Sequence, residues 1–427
     1  MTIPQLTRTL RAFSTQLRRS FTTTTHALAA KQPVSSTHGT ATTRTILGRP
    51  SNNLSTGLVG LANVGKSTFF QALTRSKLGN PANYPYATIE PEKSLVLVPS
   101  DKLLHYQKIY TSAKTIPTNL TIWDIAGLTR NSSSGAGLGN KFLGDIRQVD
   151  GILQIVRGFV DDDIIHIEDN KVDPVRDLVI VTDELILKDL EIIESEVEKT
   201  KKHMRKPGQK QVGEEQLKTL DKLSDLLYEG QKVVNGEWSA EEADFINGLN
   251  LLTAKPTLYL LNVNEQDYVR QDNAFLAQVQ AWITENCPQD KLMLFSAQHE
   301  RKLNELEGVE LEEHQAAYPR ESVIPQVVDQ MRKVLNLISF FTCGPLEARQ
   351  WTVRQGSTAP EAAGIIHSDL QKTFINAIVY KWDDLETLQE FDEAKLKSKG
   401  KQYRQGKSYV VEEGDVLIVK AAGGKSR

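Results

Sequence analysis

Gly60 to Thr68 read G-L-A-N-V-G-K-S-T, residue types at a spacing that can cradle a chain of phosphates. Gly60 and Gly65 let the backbone curl so that successive N–H groups face phosphate oxygens. Lys66 supplies a point charge for the β- and γ-phosphates, and the Ser67 hydroxyl is a ligand for Mg²⁺. The chemistry needs a strand before this loop and a helix after it. Thr56 to Val59 read as the strand, and Phe69, Phe70 and Leu73 give the helix an inward face. These residues are expected to bind a nucleoside phosphate.

Two further elements follow in the order such a site requires. Asp124-Ile125-Ala126-Gly127 ends the apolar run L-T-I-W-D-I as a D-x-x-G element. Asp124 can hold Mg²⁺ through water, and the Gly127 N–H can meet the terminal phosphate. Thr88 lies in the loop after the first helix, where a switch threonine would ligate Mg²⁺ only while the γ-phosphate is present. Leu128 follows Gly127, where many GTPases carry the glutamine that orients the attacking water. A leucine cannot do that work. At the base-reading position stands Asn262-Val263-Asn264-Glu265, without the lysine and with a longer carboxylate than the usual N-K-x-D, followed by Ser296-Ala297. This set is poorly shaped for guanine and leans towards ATP, with GTP weaker.

The elements that position these residues divide the chain. Residues 1–53 hold no Asp or Glu, and Arg8, Arg11, Arg18 and Arg19 flank an apolar stripe of Leu6, Leu10, Phe13, Leu17 and Phe21. That composition suits a mitochondrial presequence and disordered linker; a plain disordered tail is the other reading, and would leave the protein cytoplasmic. Cleavage is expected after Phe21 or later, before Leu54. Residues 54–320 alternate strands and helices around a mainly parallel sheet, with strands at Val96–Val98, Leu120–Ile125, Ile152–Val156 and Leu258–Val263. A helical insert at about 172–252 forms a hairpin of Glu184–Met204 and Glu215–Leu227, broken at Pro207-Gly208. Lys199, Lys201, Lys202, Arg205, Lys206 and Lys210 cluster at its tip, either as solvated cations or as contacts for RNA phosphates. Residues 337–420 are β-rich, with strands at Trp351–Arg354 and Ala377–Tyr380 and a hairpin of Ser408–Val411 and Val416–Lys420.

The net charge of −3 argues against a globally basic nucleic-acid binder. No run of apolar residues is long enough for membrane insertion. Cys287 and Cys343 are too few for a disulfide framework or a zinc site, so a reducing compartment is expected.

The runs GLANVGKSTFFQALT, NYPYATIEP, DIAGL, GLGNKFLGDIR, VDGILQIVRGF, VDPVRD, TDELILKDLE and NVNE together closely resemble the Obg-like ATPase (YchF) family of TRAFAC-class P-loop NTPases. The carboxyl part, from LISFFTCGPLEARQWTVRQG through AAGIIHSDLQKTFINA to GKSYVVEEGDVLIV, resembles that family's TGS domain, a ubiquitin-like β-grasp module. The resemblance implies an α/β fold: a nucleotide-binding G domain, a coiled-coil-like helical hairpin and a C-terminal β-grasp domain. It implies hydrolysis of ATP in preference to GTP, association with the ribosome or ribosomal RNA, and Mg²⁺ at Ser67 and Thr88. It also implies nucleotide contacts from Asn63 to Thr68, base contact by Asn262 and Glu265 with Ser296 beside them, and a hydrolytic role for His166. Asn63 further suggests a K⁺ ion at the loop, and Ala62 departs from a proline common there. With the basic amino end, the expected protein is a mitochondrial matrix ATPase. A GTPase of ribosome assembly and a slow nucleotide-switched ribosome or RNA-binding module are the alternatives.

Overall fold

The computed structural model describes residues 47–49, 51–75, 93–125, 127, 138–161, 171–206 and 208–422. Strands β1 (Ser55–Val59), β2 (Lys93–Leu97), β3 (Thr115–Ile116), β4 (Asn119–Asp124), β5 (Gly151–Arg157), β6 (Thr257–Asn262) and β7 (Lys291–Phe295) lie in the first part of the chain. Six of them form one sheet in the order β2-β4-β1-β5-β6-β7. Only the β2–β4 pairing is antiparallel. β5 and β6 are buried along their whole length, as strands covered on both faces must be. Helix Lys66–Arg75 leaves the carboxyl end of β1 and packs Phe69, Phe70 and Leu73 into the core. Helix Ile324–Val334, between the two expected domains, seals the same core with Val327, Val328 and Met331.

The two helices of the insert are longer than their periodicity suggests. Its first helix spans Pro174–His203 and the second Lys210–Tyr228. Pro174 fits the first turn, where an N–H has no helical partner, and the Asp173 carboxylate accepts from Arg176 N. The amino half of the long helix buries Leu178, Val181 and Leu185 against the nucleotide-domain sheet. Its carboxyl half turns Ile186, Leu190 and Ile193 towards Leu220, Leu223 and Leu227 of the second helix. One buried carboxylate fixes the base of the hairpin. Asp189 accepts from Leu252 N at 2.8 Å, Thr253 N at 2.7 Å and Thr253 Oγ1 at 2.6 Å.

A second sheet runs β11-β10-β12-β8-β9-β3, from β8 (Leu337–Cys343), β9 (Ala348–Arg354), β10 (Phe374–Tyr380), β11 (Tyr403–Gln405), β12 (Val416–Ala421) and β3. β12 lies parallel to β8 and antiparallel to β10, with helix Ala359–Ile366 packed on one face, which is the β-grasp arrangement. The expected hairpin between Ser408–Val411 and β12 does not form. Val410 instead bridges Thr358, and Val411 N donates to Ser357 O. The reason is the Asp415 carboxylate, which accepts from Glu412 N and from the Tyr409 phenol (Oη) and folds the intervening turn back on itself. β12 is thereby freed to pair with β10 over its length.

The two parts share elements. Helix Asp101–Ile109 and β3 lie within the nucleotide-domain stretch yet belong to the second sheet and its core. Tyr106 is fully buried, donates to Gly414 O at 2.6 Å and packs edge-on to Phe341. Residues 47–49 and 51–53, expected in a disordered linker, are docked. Gly48 N donates to Asn247 Oδ1, Arg49 pairs with both oxygens of Asp150, and Asn52 Oδ1 accepts from Arg354 N. These contacts tie the segment to the insert, the nucleotide domain and the β-grasp domain. Residues 47–49 and 51–53 therefore belong to the folded body and not to a disordered linker.

Asp189→Ala would strand two buried N–H groups and a hydroxyl, each costing about 1–3 kcal/mol when unpaired. We expect a lowered midpoint in thermal or denaturant unfolding, whereas Glu191→Ala on the exposed face should leave it unchanged.

Candidate functional site

The phosphate loop begins where β1 stops at the centre of its sheet, at the carboxyl ends of the parallel strands. Asn63 has φ 62° and Gly65 φ 101°, left-handed conformations that bend the loop sharply, as an amide cradle for an anion requires. A Cβ on Gly65 would collide with the Asn262 amide nitrogen, so glycine is required there by space as well as by conformation. Val64 is buried beneath the loop, while Ser67 is exposed at its mouth.

Lys66 is buried, and its ammonium donates to Gly60 O at 3.0 Å and Leu61 O at 2.6 Å. Desolvation lowers its pKa to about 8, partly opposed by the negative charge of Asp124 at the end of β4. Gly127 lies over the same ammonium, since a Cβ there would sit 3.1 Å from Lys66 Nζ and 3.2 Å from Ala62 Cα. The structure therefore brings together the loop, Lys66, Asp124 and Gly127. The donors available to a metal are the hydroxyl of the exposed Ser67 and the carboxylate of Asp124, whose charge is felt at Lys66. Hard oxygen donors of this kind fit Mg²⁺, which keeps several of its waters. When bound, Mg²⁺ would neutralise phosphate charge. Thr88 and His166 lie outside the described residues, as does Leu128.

Asn262 joins the phosphate end of the pocket to the base end. Its Nδ2 donates to Val64 O at 2.9 Å, and its Oδ1 accepts from Ala297 N at 2.9 Å. It is buried, so both bonds are shielded from water. Ser296 is fully buried and caps helix Ala297–Glu305 by accepting from His299 N. The sequence-assigned base contacts thus include two residues whose first visible task is to hold loops in place. Val263, at the position of the missing lysine, is buried in the core. Asn264 caps helix Glu265–Arg270 through Asp267 N.

Glu265 opens that helix and is also buried. Its Oε2 accepts from Lys302 Nζ at 3.1 Å, and its Oε1 lies 3.8 Å from His314 Nε2. The sequence reading missed Lys302, His299 and His314, because they come from helices whose packing no local motif announces. It also missed Arg157. That guanidinium is buried at the end of β5 and donates to Phe159 O and Asp161 O, anchoring the start of the segment that carries His166.

The lowered pKa of Lys66 gives a signed expectation. Phosphate binds the ammonium, so an anionic ligand raises the pKa again and takes up a proton above about pH 8. Nucleotide affinity should be level below that pH and fall by about tenfold per pH unit above it, until the pKa of the bound form is reached. Calorimetry in buffers of different ionisation enthalpy would read the proton uptake; affinity unchanged through alkaline pH would contradict it.

Comparison with known proteins agrees with this geometry. The family model described as 50S ribosome-binding GTPase matches residues 55–206, and the YchF-GTPase C-terminal family, described as a protein of unknown function, matches residues 337–422. The chain is 52% identical over 395 residues to the Obg-like ATPase homolog of Saccharomyces cerevisiae, covering 89% of this chain and 97% of that protein. It is 46% identical over 387 residues to Obg-like ATPase 1 of the same yeast, covering 90% and 98%. The solved structure of the Schizosaccharomyces pombe YchF GTPase superposes with a TM-score of 0.80 at 43% identity, over 88% of this chain and 100% of that one. The curled amide loop, its buried lysine and the asparagine that braces it accordingly carry a family assignment: this chain belongs to the Obg-like ATPase (YchF) family of nucleotide-binding P-loop proteins.

Proposed function

We propose that this protein is an Mg²⁺-dependent ATPase that hydrolyses the β–γ phosphoanhydride of ATP in preference to GTP. The observation that carries the choice of base is the commitment of Glu265. Guanine is read by a carboxylate that accepts from two of its N–H groups at once. Here one carboxylate oxygen is taken by Lys302 and the other faces His314, inside a buried setting. Guanine would have to displace Lys302 from Oε2, a loss of about 1.5–3 kcal/mol for that charged hydrogen bond, and reach an Oε1 crowded by His314. Adenine offers one exocyclic amine at its reading edge and asks for no paired acceptor. The names of the relatives lean the same way, while the matching family model is named for GTPases.

In this reading Lys66 and the loop amides of Asn63 to Thr68 hold the triphosphate and stabilise charge as the terminal phosphoryl departs. Ser67 and Thr88 hold Mg²⁺, and Asn63 supports a K⁺ ion at the loop. Asp124 and Gly127 sense the γ-phosphate, and His166 takes the water-orienting role that Leu128 cannot fill. No arginine finger or glutamine is placed for hydrolysis by the motifs, so turnover by the isolated protein should be slow.

The working partner in this proposal is the mitochondrial ribosome. The exposed cations Lys201, Lys202, Arg205, Lys206 and Lys210 at the hairpin tip suit RNA phosphates, whereas Lys199 is already paired with Glu196. The basic amino-terminal stripe would direct import into the matrix. No helix among the described residues is long and apolar enough to cross a membrane.

Competition binding of ATP and GTP to the purified protein, with phosphate release measured with and without mitochondrial ribosomes, tests the proposal. ATP should win and ribosomes should accelerate release, and Lys66→Ala should abolish nucleotide binding or turnover. Tighter GTP binding would instead favour the GTPase reading, and no release under any condition would favour a non-hydrolysing switch. Because residues 47–49 and 51–53 are docked, the mature amino terminus should map upstream of Leu47. A mature chain starting at Leu54, or an uncleaved Met1 in mitochondria, would contradict that.

A further inference from the structure

Three side chains from separate helices meet beside the base end of the pocket. Glu265 opens helix Glu265–Arg270, His299 lies in helix Ala297–Glu305, and His314 in helix Gly308–Ala317. Their ligand atoms all lie within 4.8 Å of one another, and all three residues are more than nine-tenths buried. The His299 Nδ1 to His314 Nε2 separation is 3.0 Å, and His314 Nε2 to Glu265 Oε1 is 3.8 Å. Two ligands at about 2.0–2.1 Å from a tetrahedral ion stand roughly 3.3–3.4 Å apart. The two His314 separations bracket that value, and with every pair within 4.8 Å a small inward movement of Glu265 would complete the set.

The hydrogen bonds around the cluster supply a second observation. The Arg320 carbonyl can only accept, so His299 Nε2 carries the proton and its Nδ1 presents a lone pair to the cluster. An outer hydrogen bond from the far ring nitrogen to a carbonyl is how metal-binding imidazoles are held in orientation. Glu265 Oε1 is buried with no hydrogen-bond partner, an arrangement that costs free energy unless a cation or donor meets it. Burial lowers the pKa of both histidines, which keeps them in the neutral form a metal needs. With His299 Nδ1 an acceptor, His314 Nε2 donates to it, and ion binding requires His314 to carry its proton on Nδ1 instead.

We propose that Glu265, His299 and His314 form a site for a zinc-class divalent ion, with two imidazoles, one carboxylate and a fourth position open to water. The ion would sit between Nδ1 of His299, Nε2 of His314 and Oε1 of Glu265, replacing the proton those histidines share. Lys302 stays on the other carboxylate oxygen, where its charge weakens the site without blocking it. Tyr268 and Tyr318 pack beside the imidazoles, with ring centroids 5.4 Å and 5.0 Å away, and hold the rings in place. An occupied site would pin Glu265 away from the base. This consequence, which rests on the ATP-selective reading, makes the metal a lock on base choice.

The test uses the full chain without nucleotide, titrated with Co²⁺ as a spectroscopic stand-in for Zn²⁺. One equivalent should bind with the intense visible absorption of a tetrahedral cobalt centre, and Zn²⁺ should displace it. His314→Asn and Glu265→Gln should each weaken binding at least tenfold while unfolding at a midpoint near that of the unaltered chain. Absence of the cobalt spectrum, or a spectrum unchanged in both variants, would overturn the site. A second titration compares GTP affinity with and without Zn²⁺. Weaker GTP binding with zinc supports the lock. Unchanged GTP affinity beside a confirmed cobalt spectrum would refute the lock and the placement of Glu265 at the base, but not the metal site.

Discussion

The two bonds of Asn262 are the constraint on which the pocket depends. One side-chain amide holds the phosphate loop through Val64 O and the base-side loop through Ala297 N. Burial makes each bond worth more than it would be in water, because neither partner has a solvent alternative. Gly65 must lack a side chain because this amide occupies the space a Cβ would need. The strained loop at Asn63 and Gly65 is therefore held from outside, and not by its own backbone alone.

The rest of the fold delivers that amide and its partners to one place. β1 and β6 are separated by β5, and the buried strand residues between them fix their carboxyl ends on one edge of the sheet. Asn262 closes β6, the phosphate loop follows β1, and Asp124 closes β4. The long helix Pro174–His203 belongs to both the nucleotide core and the hairpin, so a change in one can be felt by the other as motion of a rigid rod. Helix Asp101–Ile109 lies between β2 and β4 in the chain yet packs into the core of the β-grasp sheet, so the two sheets are joined by a folded element. Neither projection hangs on a free linker.

Much of this was legible in the sequence because the phosphate loop is local. Its glycines, lysine and serine are contiguous, and short-range conformation decides what they can do. The apolar runs at β1, β4, β5 and β6 were readable for the same reason, with bounds off by a residue or so. What escaped was contact between distant segments. Nothing near Ser408–Val411 says that Asp415 will fold the turn back and send Val410 to Thr358. No pattern in Asp101–Ile116 reveals that this stretch completes a sheet begun more than two hundred residues later. Lys302, His299 and His314 look like ordinary helix residues until packing brings them to Glu265.

If Asn262 makes the two ends of the pocket one unit, its loss should be felt by a ligand that has no base. Calorimetric titration of inorganic tripolyphosphate with Mg²⁺ into the intact protein and into Asn262→Ala measures this directly. The account predicts that the variant, still folded, binds tripolyphosphate at least about tenfold more weakly, the equivalent of roughly 1.4 kcal/mol. Equal affinity in the two proteins would show that the loop holds its shape unaided and would contradict the account.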